Sequence, residues 1–401
     1  MEQAFFSFEE IIMKIQVFKI ILWILLFSSF FGIFSYQFAL FPILLSFVLI
    51  FRTFIFRIPG KFKRELFIYL LFFLCSSISC LIYEKQSLSV TFSSADCLLY
   101  FTIMSYYVFV SGKYKLKAME KALAIGNIIF LSCFLLQFLA MPKQIFNLAT
   151  DYLEIGRFTM MGQMITYFSL FYYYNKYLFE KKTLYLFLSI PSLLVMLEAG
   201  FRTQLAAIVL LLAVMTSLIK KTSTAKYIII FAILAVILYQ IPLVQNSLGN
   251  MMERQAEGAS FNNKDYIRLV QFDYFTQHHF KSYLEYFFGS GVPNPRSSYG
   301  APFYNVDTYI GPYNGWRDWG LVGLSWIIGL PTVIFLLVPV FRIIFSKCHE
   351  NMIYIKFFYI FLLLCSFTTV EFFRVGSFFF HGFIFYFYEL NLRRYKQLNN
   401  R

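Results

Sequence analysis

Charge is what this sequence has least of. Only 14% of its 401 residues are Asp, Glu, Lys or Arg, where a water-soluble domain carries about 25%. With 59% hydrophobic residues, such a chain can neither clothe a soluble surface nor remain disordered. Histidine is equally scarce: there are four, and no Cys/His set has metal-ligand spacing. The six cysteines lie in or beside apolar runs, which excludes a secreted disulfide framework. No internal repeat and no low-complexity tail is present. The N-terminal Met1-Glu2-Gln3-Ala4 carries an acid where a signal peptide needs bases, and no small-residue cleavage site follows, so no cleavable signal peptide is expected.

Long apolar runs are what is there. A bilayer crossing takes about 20 apolar residues, and the runs predict twelve helices at about 20–36, 38–56, 66–83, 97–111, 122–141, 158–178, 184–199, 203–219, 227–242, 319–341, 354–370 and 375–389. The fold class is therefore all-α, a polytopic integral membrane protein. The 22% of aromatic residues reads as lipid-facing bulk and interfacial belts. Basic residues accumulate on the cytoplasmic side of membrane proteins. Alternating the twelve crossings from a cytoplasmic N-terminus puts 24 of the 35 Lys and Arg inside, every short basic loop among them. Both termini are then cytoplasmic, and the net charge of +14 needs no nucleic-acid partner.

Three parts follow: helices one to nine over 1–242, a long external loop over 243–318, and helices ten to twelve with a cytoplasmic tail over 319–401. Loops beyond 12–15 residues are usually functional or disordered, and this one is patterned. Asn262 to Phe275 starts with N-cap residues and carries apolar groups at helical spacing, which predicts an amphipathic helix on the outer membrane face. A turn at Gly289-Ser290-Gly291 follows, then an irregular stretch to Trp316.

Cations on the outer side need a reason. Arg157, Arg202, Arg254, Arg268, Arg296, Arg317 and Arg374 all fall there, and guanidinium suits a diphosphate because its paired donors keep a fixed charge. Each can instead snorkel to headgroups or meet an acid. Glu371 stands three residues before Arg374, a spacing that predicts an ion pair, and Glu198 stands four before Arg202. The adjacent His278 and His279 read as a solvated loop. His381, inside Phe378-Phe379-Phe380-His381-Gly382-Phe383, reads as a packed neutral imidazole bonded to a neighbouring helix, rather than the catalytic histidine of an intramembrane acyltransferase.

These segments stand in a familiar order. Gly156-Arg157-Phe158-Thr159-Met160-Met161-Gly162-Gln163 resembles the external start of a mid-chain helix in the O-antigen ligase/polymerase (Wzy-type) superfamily of membrane glycosyltransferases. Glu198-Ala199-Gly200-Phe201-Arg202-Thr203-Gln204 resembles its arginine-centred turn. Arg268 before Gly289-Ser290-Gly291 resembles its loop helix, and Asp307-Thr308-Tyr309-Ile310 through Asp318-Trp319-Gly320 resembles its re-entry into the membrane. The resemblance covers about residues 120–340 and implies transfer of undecaprenyl-diphosphate-linked sugars on the outer face of a bacterial inner membrane. Ligases of the superfamily carry a His-Asn pair before re-entry; here Asp307, Thr308 and Tyr309 stand there without a histidine, which favours a repeat-unit polymerase.

The implied chemistry is attack by a hydroxyl of one lipid-linked oligosaccharide on the anomeric carbon of another, expelling undecaprenyl diphosphate. Arg202 and Arg268 would stabilise the departing charge, with Arg157, Arg296, Arg317, Asp318 and Tyr309 binding substrate. Asp307 is the first candidate base, Asp318 the second and His278-His279 the third, and the capping of a turn is an equal role for Asp307. No cofactor or metal is implied, because outer-loop acids are scattered without an Asp-x-Asp. Expected partners are the lipid-linked substrates, membrane lipids and a chain-length regulator protein. Twelve helices with both ends inside fit a lipid-linked oligosaccharide flippase as well, although the halves differ from each other and the charges gather at the outer interface. A peptidoglycan assembly protein of similar topology is a third reading, kept open by Asp307.

Overall fold

Apolar runs become helices because hydrocarbon offers the backbone no water to bond. The computed structural model describes residues 2–152, 157–199, 202–223, 225–226, 229, 267–304, 315–366 and 369–399. Five helical stretches there are long and apolar enough to cross a membrane: Tyr36–Ile55, Lys63–Glu84, Ala95–Gly112, Leu116–Ala140 and Thr203–Lys220. Thr183–Ala199 and Leu330–Phe345 are apolar but shorter. The expected crossing at 227–242 lies outside the described residues except for Ile229.

Several runs are bounded differently from their expected ends. The first helix is Glu2–Phe27, not 20–36, because its acidic start continues the helix, with Lys14 Nζ 3.0 Å from Glu10 one turn earlier. The run at 158–178 becomes helical only at Met164, since Arg157–Met160 forms a strand, β2, antiparallel to β1 (Leu148–Tyr152). This two-stranded ribbon is the one departure from an all-α architecture among the described residues. The last run is Phe380–Asn399, reaching well past its apolar part into Arg393 and Lys396.

The run at 319–341 breaks at Gly329 into Gly320–Ile328 and Leu330–Phe345. Gly289 and Gly329 both have φ +88°, and a Cβ on Gly289 would sit 2.4 Å from Gly329 N while one on Gly329 would sit 2.2 Å from Phe288 O. Two backbones therefore touch where only glycine fits. The amides of Ser290 and Gly291 then donate to the carbonyls of Trp326 (3.0 Å) and Ile327 (2.8 Å), satisfying acceptors that the break sets free. The Gly289–Gly291 turn is thus pinned into the break between Gly320–Ile328 and Leu330–Phe345.

The loop helix is present as Ile267–Asp273, continued by a wider turn to His278. Its apolar side meets protein: Phe272 lies 4.9 Å from Trp319, and Phe275 stacks on Trp326 at 4.6 Å, ring centroid to centroid. The aromatics likewise depart from a mainly lipid-facing role. Tyr69, Tyr100, Tyr106, Tyr167 and Tyr359 are among the largest fully buried side chains, and Phe168 packs edge-on against Tyr354, Phe358, Phe380 and Phe387. Flat rings interdigitate by edge-to-face contact, so an aromatic interior packs densely. The Met164–Glu180 helix is central, flanked by Leu116–Ala140, Thr183–Ala199 and Ile353–Cys365.

Candidate functional site

Polar side chains are costly inside so apolar a bundle unless they are bonded, so a buried cluster marks the place to look. One lies where β2, the starts of the Met164–Glu180 and Arg202–Lys220 helices, and the turn before Phe380–Asn399 come together. Arg374, 3% exposed, pairs through Nη2 and Nε with the carboxylate of Glu371, 1% exposed. Its Nη1 donates to Thr159 Oγ1 of β2 at 2.8 Å. Beside this pair, Gln163 Nε2 donates to Tyr167 Oη (2.8 Å), which donates to Gln204 Oε1 (3.3 Å). Gln163 and Tyr167 are four residues apart, one helical turn, which is why their side chains meet, and the Tyr167 hydroxyl carries the chain on to Gln204 of the neighbouring helix. Gln163 Oε1 and Gln204 Nε2 remain without a partner although buried, and such groups call for an explanation. Ser377 Oγ accepts from Met164 N at 3.4 Å and ties the same turn to the same helix start.

The predicted ion pair of Glu371 with Arg374 is therefore real, and it sits among other buried polar groups. Arg157 lies in β2, two residues before Thr159, and Arg202 opens the helix that carries Gln204; the side chains of both are outside those described. Asp307 and Tyr309 lie outside the described residues, as does Arg254.

A second cluster gathers at the loop helix. The carbonyl of Arg268 accepts from Trp319 Nε1 at 3.2 Å, and Asp318 Oδ2 accepts from Gln271 Nε2 at 3.2 Å. Arg317 is committed to Asp96, Nη2 to Oδ2 at 2.5 Å, and covers the Trp316 ring. Trp316 stacks on Phe373 at 5.9 Å, which connects this cluster to the Glu371–Arg374 turn. Arg268, Asp318 and Arg317 are thus brought to one corner. Arg296 is not: it is exposed in a turn where its amide donates to Asn294 Oδ1, and that turn is fastened to Gln86, which accepts from Asn294 N and Ser297 Oγ.

The histidines divide. His278 is exposed, 3.8 Å from Asp273. His279 departs from the solvated reading: it is buried among the rings of Tyr274, Phe275, Phe280 and Phe303, and burial, with Lys281 nearby, pushes its pKa down to about 3. It therefore stays neutral as a packing group. His381 is buried, and its Nε2 donates to Phe372 O at 2.8 Å, within its own entry turn rather than on a neighbouring helix.

Sequence reading passed over one further group. Glu285, fully buried, accepts from Lys281 N at 2.7 Å, while Lys281 Nζ reaches Glu84 at 2.9 Å and Tyr83 O at 2.8 Å. Burial and the nearby Glu84 carboxylate push the Glu285 carboxyl up to about 7, against the pull of Lys281. The pattern was invisible because Glu84 and Glu285 are some 200 positions apart. Thr159, Gln163 and Gln204 were visible inside the quoted motifs but carried no assigned role.

No protein-family model, curated protein or solved structure matches this chain. The fold and composition define a mostly helical protein with apolar helices able to cross a membrane.

Proposed function

We propose that the chain is a metal-independent membrane glycosyltransferase, a repeat-unit polymerase joining undecaprenyl-diphosphate-linked oligosaccharides on the outer face of a bacterial inner membrane. One observation carries most weight: the buried Arg374–Glu371–Thr159 and Gln163–Tyr167–Gln204 bonds underlie the very segments where Arg157 and Arg202 enter the bundle. A floor of fixed hydrogen bonds is what holds a cation site in place as charge develops on a leaving group. In this reading Arg202 and Arg268 receive the departing diphosphate, and Arg157 and Arg296 bind the substrate. Asp307 takes the proton of the attacking hydroxyl, Tyr309 binds substrate, and Asp318, already bonded to Gln271, orders the loop helix. Arg317, paired with Asp96, holds Trp316 in position rather than contacting phosphate directly. The unpartnered Gln204 Nε2 is a donor available to a sugar or phosphate oxygen.

The product would be O-antigen, capsule or exopolysaccharide, with a chain-length regulator as a protein partner. The test against a flippase is a deletion strain. Single repeat units displayed on the outer face, without polymer, support the polymerase; repeat units trapped on the inner leaflet overturn it in favour of transport.

A further inference from the structure

At the other end of the Phe380–Asn399 helix the chain builds a cavity of about 890 Å³. Its lining begins at Tyr388, seven residues along this helix from His381, and runs to Lys396, so at 1.5 Å per residue it lies about 10–22 Å along the helix from that histidine. Three stretches far apart in sequence meet there. Lys61 comes from just before the Lys63–Ser79 helix and Lys63 and Arg64 from its start, Arg342 from the last turn of Leu330–Phe345 and Lys347 from just beyond it, and Arg393 and Lys396 from the last helix. The lining holds two carboxylates, and both are engaged. Glu65 is bonded to Arg342, while Glu389 accepts from Tyr106 Oη and Lys61 N and lies 3.5 Å from Arg393.

Seven cations against two acids leave an excess of five positive charges around one concave space. Among the described residues, the side chains of Arg64, Lys347 and Lys396 make no hydrogen bond or ion pair. Lys61 is held over the Tyr388 ring at 5.3 Å, and burial lowers its ammonium pKa, as do the facing charges of Arg342 and Lys396. Like charges gathered at this density are destabilising unless an anion sits between them. The Lys/Arg partition places this end of the bundle at the cytoplasmic leaflet, where basic pockets between helices meet anionic headgroups.

We propose that this cavity is a binding site for an anion bearing two phosphates, either a bis-phosphate phospholipid headgroup of the inner leaflet or a soluble diphosphate. Its size, within the ordinary range for ligand pockets of about 300–1,000 Å³, admits two phosphates with a linker. Arg64, Lys347 and Lys396 are the cations still able to turn toward it. The site does not depend on the polymerase reading, since it lies away from the residues proposed for transfer.

The test uses the full-length protein in nanodiscs of phosphatidylcholine alone, phosphatidylcholine with inorganic pyrophosphate, and phosphatidylcholine with cardiolipin. Thermal unfolding and retention of lipid in native mass spectra are the readouts. A cation at a membrane surface contributes about 1 kcal/mol, or about fivefold in affinity. The triple variant Arg64→Gln/Lys347→Gln/Lys396→Gln is therefore expected to weaken the active anion by about a hundredfold, while Lys113→Gln/Lys117→Gln, outside the cavity, leaves it unchanged. Should the triple variant fold poorly, the single Lys347→Gln and Lys396→Gln variants are each expected to lose about fivefold. Stabilisation by pyrophosphate assigns a soluble ligand, and stabilisation by cardiolipin alone assigns a lipid. No stabilisation by either, or equal losses in the cavity and control variants, overturns the proposal.

Discussion

Arg374 and Thr159 are 215 residues apart in sequence, and the guanidinium Nη1 donates to the threonine hydroxyl at 2.8 Å in a space sealed from solvent. This bond ties the Glu371–Arg374 turn to the β2 strand and so fixes the corner of the proposed substrate cations.

Breaking a buried ion pair on one side leaves an uncompensated charge, which costs about 3–5 kcal/mol. Arg374→Met is therefore expected to lower stability by that amount in chemical unfolding of the detergent-solubilised protein, and Glu371→Leu by a similar amount. The double variant should recover much of the loss, because no charge is stranded. Additive losses would show that the two side chains do not act as a pair.

Arg202→Ala and Arg268→Ala should abolish polymer at normal protein level, and Asp307→Asn should do the same. Arg→Lys should rescue poorly, because an ammonium cannot make the forked contact that a guanidinium makes with a diphosphate. Surface polysaccharide resolved by chain length, beside an immunoblot, is the readout. Full-length polymer from the alanine variants removes these arginines from the site.

The loop helices should dock with a pH dependence set by Glu285 and His279. Glu285 has its carboxyl raised from 4.5 to about 7. The folded protein thus holds a proton that the unfolded chain releases in that window, and this contribution to stability falls as pH rises through it. His279 is lowered from 6.5 to about 3, so its contribution rises with pH between those values. The two oppose each other below about pH 7, and between pH 6.5 and 7.5 the fall from Glu285 exceeds the remaining rise from His279. Wild-type unfolding midpoints should fall slightly from pH 6.5 to 7.5, while those of Glu285→Gln should rise slightly there and more steeply below. Parallel profiles would contradict the assignment.

The orientation is open to direct labelling. Single cysteines placed at Asn262 and Asn399 in a cysteine-free background should react oppositely with a membrane-impermeant maleimide in intact cells, the first labelled and the second protected. Labelling at 399 would invert the Lys/Arg argument.

Periodicity made the helices legible, because a buried backbone leaves no alternative. The break at Gly329 was hidden within a continuous apolar run, since its cause is the approach of Gly289 from another segment. The strand over Arg157–Met160 was hidden for another reason: it stands at the head of an apolar run that continues as a helix from Met164, and its partner is the less apolar Leu148–Tyr152. At the site, the pairing of Glu371 with Arg374 followed from spacing along the chain, but the third member, Thr159, did not, because only the packed bundle brings it near. His279 was misread because adjacent residues on a loop share no environment: His278 faces water while His279 fills an aromatic pocket. Sequence separation accounts for the break at Gly329 and for Thr159. Local spacing reveals pairs within a turn, and contacts across the bundle leave no local mark.

The most direct measurement of the central claim is synthesis from purified components. Protein reconstituted with undecaprenyl-diphosphate-linked repeat units and an excess of chelator should yield a ladder of longer lipid-linked chains, because arginines and a carboxylate suffice for the transfer proposed here. Arg202→Ala in the same membranes should yield single units only. Absence of a ladder under any ionic condition, from folded protein and intact substrate, would contradict the polymerase account.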